Sequence, residues 1–190
     1  TPDGARPAPS GTVDLSLPPS QRWAGVFGDA VDRHGFEHTF APLLEQIELY
    51  LAHMPDGKSL LAFATSVTQE RFPVYFEEIE GMVDFFQSLG HNVTLDTMIA
   101  WNWMSSLKNL KPTPGYQGPP LPGGDNVRAC TSLIARNADG TVLHARNDDA
   151  DAAKTTANLT VDVDFVDGNG AVVAKATAFL GWAGTYTSLR

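Results

Sequence analysis

The sequence predicts an α+β protein, with its helices first and its strands last. Apolar residues recur at helical spacing up to residue 110. A stretch crowded with proline and glycine follows, over residues 111–125. From residue 129 onward, apolar and polar residues alternate in strand-length runs separated by glycine turns.

Residues 1–12 are rich in Pro, Gly, Ala and Ser and are expected to form a flexible tail. Val13-Asp14-Leu15-Ser16-Leu17 alternates like a strand, which Pro18-Pro19 ends. Ser20 then reads as the N-cap of a first helix through Trp23, Val26 and Phe27, broken at Gly35. Phe40, Leu43, Leu44, Ile47 and Leu51 give a second helix over 36–51, and Pro55-Asp56-Gly57 a turn. A third helix spans 73–89, with Phe76, Ile79, Val83 and Phe86 inward, Glu77, Glu78 and Glu80 mostly outward, and Gly90 as cap. A fourth, over 95–110, carries Ile99, Trp101, Trp103 and Met104 on several faces, which suits a central helix or one that meets a lipid-like ligand.

No helix or central strand survives the breakers of 111–125, so this is an exposed and easily cut loop. Strands are predicted over 129–136 and 141–146 around the turn Asn137-Ala138-Asp139-Gly140. Residues 148–156 form a polar loop. A second strand pair follows, 159–166 and 171–180, joined by Asp167-Gly168-Asn169-Gly170, with Val172, Ala174 and Ala176 on one face. The chain thus divides into the tail, a helical region over 13–129 that ends in the loop, and a mostly antiparallel β region over 130–190.

At 190 residues the chain has room for one sizeable domain or two small ones, and 43% hydrophobic residues suffice for a core. No apolar run nears the roughly 20 residues that span a bilayer, and no basic-plus-apolar leader opens the chain, which predicts a mature or cytosolic start. A net charge of −9 argues against nucleic acid as a partner. Near pH 5, closer to the carboxylate pKa of about 4, repulsion from anionic membranes or micelles would weaken; ordinary acidic soluble proteins share this property. Cys130 is the one cysteine, so no internal disulfide forms. The sequons Asn92-Val93-Thr94 and Asn158-Leu159-Thr160 are candidate N-glycosylation sites that favour a secretory or lysosomal address. His34, His38, His53 and His91 lack metal-ligand spacing, and neither metal nor cofactor is expected.

The chemistry concentrates at Cys130. It opens the Cys-Thr-Ser-Leu-Ile-Ala strand directly after the breakable loop, and His144-Ala145-Arg146-Asn147-Asp148-Asp149 ends the return strand. If the Ala129–Cys130 bond is cut, Cys130 carries a thiol beside an α-amine with a pKa near 8, which serves as its base. The cut can be autocatalytic, through attack of the thiol on the Ala129 carbonyl and hydrolysis of the thioester. Asp149 would then orient the new amine. Arg146 would lower the thiol pKa or hold a substrate oxygen, and Thr131 and its neighbours would supply part of an oxyanion hole. Plainer readings stay open on residues alone: Cys130 as a small buried residue, Arg146 and Asp149 as a surface ion pair, His144 as a packing residue, and Trp101 and Trp103 as core.

These residues resemble the acid ceramidase and N-acylethanolamine acid amidase family, the lysosomal N-terminal-nucleophile hydrolases. Cys-Thr-Ser-Leu-Ile-Ala followed by His-x-Arg-Asn-x-Asp is the specific part. Leu-Pro-Pro-Ser-Gln-Arg-Trp at 17–23, Tyr-Phe-Glu-Glu-Ile-Glu-Gly at 75–81 and Phe-Leu-Gly-Trp-Ala-Gly at 179–184 extend the likeness over most of 13–187. The resemblance implies a helical α-subunit followed by the first antiparallel strands of an αββα sandwich, and a zymogen cleaved before Cys130. It implies Cys130 as nucleophile, Arg146 assisting it and contacting the substrate head, and Asp149 anchoring the Cys130 amine. The implied substrate is a fatty-acyl amide lipid met at a membrane or micelle surface, hydrolysed to a fatty acid and an amine in a lysosomal or secreted setting.

Four features set the chain apart within that pattern. Ala145 stands where a glycine is usual, and without a second cysteine the two halves are held non-covalently, unlike acid ceramidases. The short segment between Asp149 and Leu159 leans toward the N-acylethanolamine branch. The chain also stops near the middle of the family's β-subunit, before the later Asn of the oxyanion hole, worth about 3–4 kcal/mol per donor. This predicts either part of a longer enzyme, completed by the rest of the β-subunit, or a truncated non-catalytic homologue that serves as a structural or binding subunit.

Overall fold

The computed structural model describes residues 8–54, 56–107, 132–146, 157–183 and 187–189. Among these residues, five α-helices precede the last five of six strands. Pro18 and Pro19 start a tight 3-10 turn, Pro19–Gln21, closed by Gln21 N–H donating to Pro18 O at 2.9 Å. Ser20 sits inside that turn and cannot cap; α1 (Ala24–His34) starts after Trp23 instead. Gly35, at φ 77°, stops α1 as expected, in a conformation that costs glycine little. The helix predicted over 36–51 divides into a 3-10 turn, Phe36–His38, and α2 (Phe40–His53). The break is at buried Thr39, whose hydroxyl turns back to donate to Gly35 O at 2.9 Å.

α3 (Gly57–Arg71) has no counterpart in the sequence reading. Its buried stripe is Gly57, Leu61, Ala64 and Thr68, helical in spacing but nearly invisible to hydropathy. α4 (Pro73–Ser88) begins with proline at its first turn, where no N–H is missed. Phe76, Ile79, Val83 and Phe86 are buried as predicted. α5 (Leu95–Leu107) is capped by Thr94, whose Oγ1 accepts from the Thr97 N–H at 3.2 Å.

The main sheet is mixed, in the order β1-β4-β5-β6. β4 (Thr160–Val166) and β5 (Val172–Phe179) form the predicted antiparallel pair, and β6 (Thr187–Leu189) continues it. β1 is Ser10–Asp14, not residues 13–17, and pairs parallel with β4, from Ser10↔Asp162 to Asp14↔Val166. The strand thus reaches into the predicted tail because β4 offers backbone partners there, Asp162 N–H donating to Pro9 O at 2.8 Å. It ends at Asp14 because that carboxylate folds back to accept from Ser16 N and Oγ, at 2.8 and 2.6 Å. These two bonds hold the Asp14 carboxyl below the usual range, the side-chain bond from Ser16 most.

Val161 and Val163 of β4 face the helices and are buried, while Asp162 and Asp164 face solvent. There Asp164 meets Lys175 at 2.7 Å, and Asp162 accepts from Thr177 Oγ1 at 2.7 Å. On β5 the buried positions are Ala176, Ala178 and Phe179; Val172, which alternation groups with Ala174 and Ala176, is 49% exposed. Phe27, Phe40 and Phe86 form the aromatic centre, with the Phe40 and Phe86 rings 4.4 Å apart. α4 crosses the Pro19–Gln21 turn at Gly81, where a Cβ would overlap the Ser20 backbone.

β2 (Ser132–Arg136) and β3 (Val142–Arg146) stand apart as a two-stranded ribbon.

Candidate functional site

The ribbon carries the strand end at which the predicted chemistry gathers. Its register runs Ser132↔Arg146, Leu133↔Ala145, Ile134↔His144, Ala135↔Leu143 and Arg136↔Val142. Paired residues of an antiparallel ladder share a face, so Ser132, Ile134, Arg136 and Val142 occupy one face and Leu133 and Ala135 the other. The turn is the predicted one. Asp139 Oδ1 accepts from the Thr141 N–H at 2.9 Å, which holds the Asp139 carboxyl below its usual range. Arg146 closes β3 opposite Ser132, the second residue after Cys130. Ala129, Cys130, Thr131 and Asp149 lie outside the described residues, as does the loop 111–125. Among the described residues no group of three or more His, Cys, Asp or Glu is arranged to hold a metal. No helix among them is long and apolar enough to cross a membrane.

Two polar assemblies escaped the sequence reading. Asn102, buried in α5, uses all four of its hydrogen-bonding positions. Its Nδ2 donates to Met98 O at 2.8 Å and Gly181 O at 2.9 Å. Its Oδ1 accepts from Tyr75 Oη at 2.8 Å and from Ala183 N at 2.9 Å. Burial pushes the Tyr75 phenol up to about 12, with the Glu78 charge adding to the rise and a hydrogen bond to Trp182 opposing it. Asn102 therefore ties the turn after β5 to α4 and α5. The only signal in the sequence was a polar residue between Trp101 and Trp103.

Glu78 is the centre of the second assembly. Its Oε1 lies 2.8 Å from Arg22 Nη1, and its Oε2 accepts from Trp23 Nε1 at 3.0 Å. Arg22 also donates to Leu17 O and Leu15 O, both at 3.1 Å. Glu78 is thus turned inward, unlike exposed Glu77 and Glu80. Beside it an open, apolar groove of about 460 Å³ is lined by Phe72, Pro73, Val74, Tyr75, Glu78 and Ala183. Trp103 donates to Thr68 Oγ1 at 2.9 Å, and the Trp101 indole packs on Trp182 and Gly181, so both tryptophans serve packing. Asn92 is exposed, whereas Asn158 is half-buried and donates from Nδ2 to His38 O at 2.9 Å.

No family model matches the chain. It is 41% identical over 58 residues to an N-acylethanolamine-hydrolyzing acid amidase of Rattus norvegicus, covering 30% of this chain and 16% of that protein. The corresponding protein of Caenorhabditis elegans is 38% identical over 61 residues, 32% of this chain and 17% of that one. An acid ceramidase of Rattus norvegicus is 25% identical over 210 residues, 97% of this chain and 43% of that protein. The chain spans less than half the length of these relatives. Both branches of the family that the Cys130-to-Asp149 motif resembles are among the matches, so the chain is similar to acid ceramidases and to N-acylethanolamine acid amidases.

Proposed function

We propose that this chain is the nucleophile-bearing part of a cysteine N-terminal-nucleophile amidohydrolase. It would release a fatty acid from an N-acylethanolamide or a related sphingolipid amide at a membrane or micelle surface, in a lysosomal or secreted setting. The observation that carries the reading is the ribbon register. Arg146 lies opposite Ser132, so two short backbone steps separate the level of the guanidinium-bearing residue from Cys130 in sequence. The likeness to acid amidases and acid ceramidases supports the same chemistry.

In the maturation step the Cys130 Sγ attacks the Ala129 carbonyl carbon and the bond to the Cys130 nitrogen breaks, leaving a thioester and a free amine. Water then cleaves the thioester, releasing the Ala129 carboxylate and restoring the thiol. In turnover the Cys130 amine accepts the thiol proton and passes it to the departing amine of the substrate. The acyl thioester is hydrolysed to the fatty acid. Arg146 stabilises the thiolate or holds a substrate oxygen, and Asp149 anchors the Cys130 amine. The rest of the β-subunit completes the sheet and the oxyanion hole.

Intact mass after incubation at acidic pH tests this. Two fragments split before Cys130 are expected, with both cleavage and lipid-amide hydrolysis abolished by Cys130→Ala. Normal processing of Cys130→Ala overturns the nucleophile assignment. A single stable wild-type chain without hydrolysis supports the rival role as a non-catalytic homologue.

A further inference from the structure

The β4–β5 connection, Asp167-Gly168-Asn169-Gly170, holds the one Asn-Gly pair in the sequence. Glycine has no side chain to shield its nitrogen, so that nitrogen can close a ring on the amide carbon of the asparagine before it. Asn169 and Gly170 are both exposed, so water and hydroxide reach them. The turn nevertheless engages the nitrogen that would attack. Gly170 N–H donates to Asp167 O at 2.9 Å, with Gly170 at φ 77°. The Asp167 carboxylate fastens both flanks, its Oδ1 accepting from Asn169 N at 2.9 Å and from Ala171 N at 3.0 Å. Asp167 N–H closes the base of the turn by donating to Ala171 O at 3.0 Å.

The first hairpin shows what such a turn accepts. It is built on the same two backbone bonds, Gly140 N–H to Asn137 O at 3.0 Å and Asn137 N–H to Thr141 O at 2.9 Å, with Gly140 at φ 91°. At the position of Asn169 it carries Asp139. An aspartate in place of Asn169 thus fits this turn form. An isoaspartate does not, because it routes the main chain through its side-chain methylene. The longer connection would join strands whose register is set from Val166↔Val172 to Thr160↔Phe179.

We propose that Asn169 is a deamidation site and that Asp167 is the residue that holds it closed in the folded chain. The Gly170 nitrogen gives its proton to hydroxide and attacks Asn169 Cγ. The bond from this nitrogen to Cγ forms, the bond from Cγ to Nδ2 breaks, and the amide nitrogen takes a proton from water and leaves as ammonia. Water then opens the five-membered imide. Breaking the bond to Cγ gives aspartate, and breaking the bond to the Asn169 carbonyl carbon gives isoaspartate. Either product adds a negative charge at the hairpin tip. None of this starts while Gly170 N–H is bound to Asp167 O, so the reaction waits on local opening of the turn. It is independent of any chemistry at Cys130.

The test incubates the full chain in heavy-oxygen water at mildly alkaline pH, in buffer and in urea, and follows residue 169 by peptide mapping. In urea Asn169 should convert faster than any other asparagine. In buffer it should convert on the order of tenfold more slowly. D167A should raise the rate in buffer severalfold, leave the rate in urea unchanged and leave the other asparagines as they were. The Gly170 amide of the wild type should exchange slowly with deuterium, a reading that stands even where D167A fails to fold. Equal rates in buffer and in urea, a folded D167A that converts no faster than the wild type, or an unprotected Gly170 amide overturns the proposal.

Discussion

The helix-backed sheet and the β2–β3 ribbon are built on opposite terms. In the first, Val161, Val163, Ala176 and Ala178 are buried against helices, and Asn102 and Glu78 add satisfied polar ties. In the second, Leu133 and Ile134 point to opposite faces and are 65% and 69% exposed. A two-stranded ribbon is marginal by itself, and this one presents apolar residues on both sides. The motif that speaks of chemistry lies on the part that contributes least to stability among the described residues. Stability and function should therefore respond to different substitutions.

The largest effect is expected from Phe86→Ala. Phe86 is fully buried and its ring meets those of Phe27, Phe36, Phe40 and Phe85, so truncation should cost about 4 kcal/mol, read from the urea midpoint. Asn102→Ala comes next. It strips partners from Gly181 O, Ala183 N and Tyr75 Oη at once, for a loss of about 3 kcal/mol.

Tyr75→Phe should cost about 1 kcal/mol at neutral pH, and it also has a pH signature. The folded phenol is raised to about 12 from its ordinary value of 10.0. The folded state therefore holds the proton longer than the unfolded one, and the contribution is complete below pH 10 and fades as pH climbs toward 12. The wild type should lose stability across that window, measured by denaturation at stepped pH, and Tyr75→Phe should flatten the loss. The smallest effect is expected for Ile134→Thr on the ribbon, under about 0.5 kcal/mol. A loss comparable to that of Phe86→Ala would erase the contrast between the two regions.

The legible parts of the fold were those with strong local signals. Large apolar residues at helical spacing disclosed α2 and α4, and the glycine turns disclosed both hairpins. α3 was illegible because it buries a stripe built largely of small residues, and Gly57, Ala64 and Thr68 carry little hydropathy. Glu78 looked like its neighbours Glu77 and Glu80, because only the fold brings Arg22 and Trp23 to it. The parallel partner of β1 was hidden for the same reason: alternation reveals a strand but not its mate. At the site, the strands and the turn were legible and Arg146 falls at the strand end that the motif implied. The approach of Cys130, Ala129 and Asp149 to it lies outside the described residues.

The parallel pairing of Ser10–Asp14 with β4 has a consequence for the order of events in the life of the chain. β1 is made early and waits for a strand encoded near the other end, so the sheet closes only through a long loop, the slow kind of contact in folding. A cut between them before closure would put the two strands on separate molecules, and a unimolecular search would become a concentration-dependent one. A cut after closure would leave the ladder intact. Proteolytic nicking of the chain is thus benign late and damaging early, and any maturation by cleavage has to be timed behind folding.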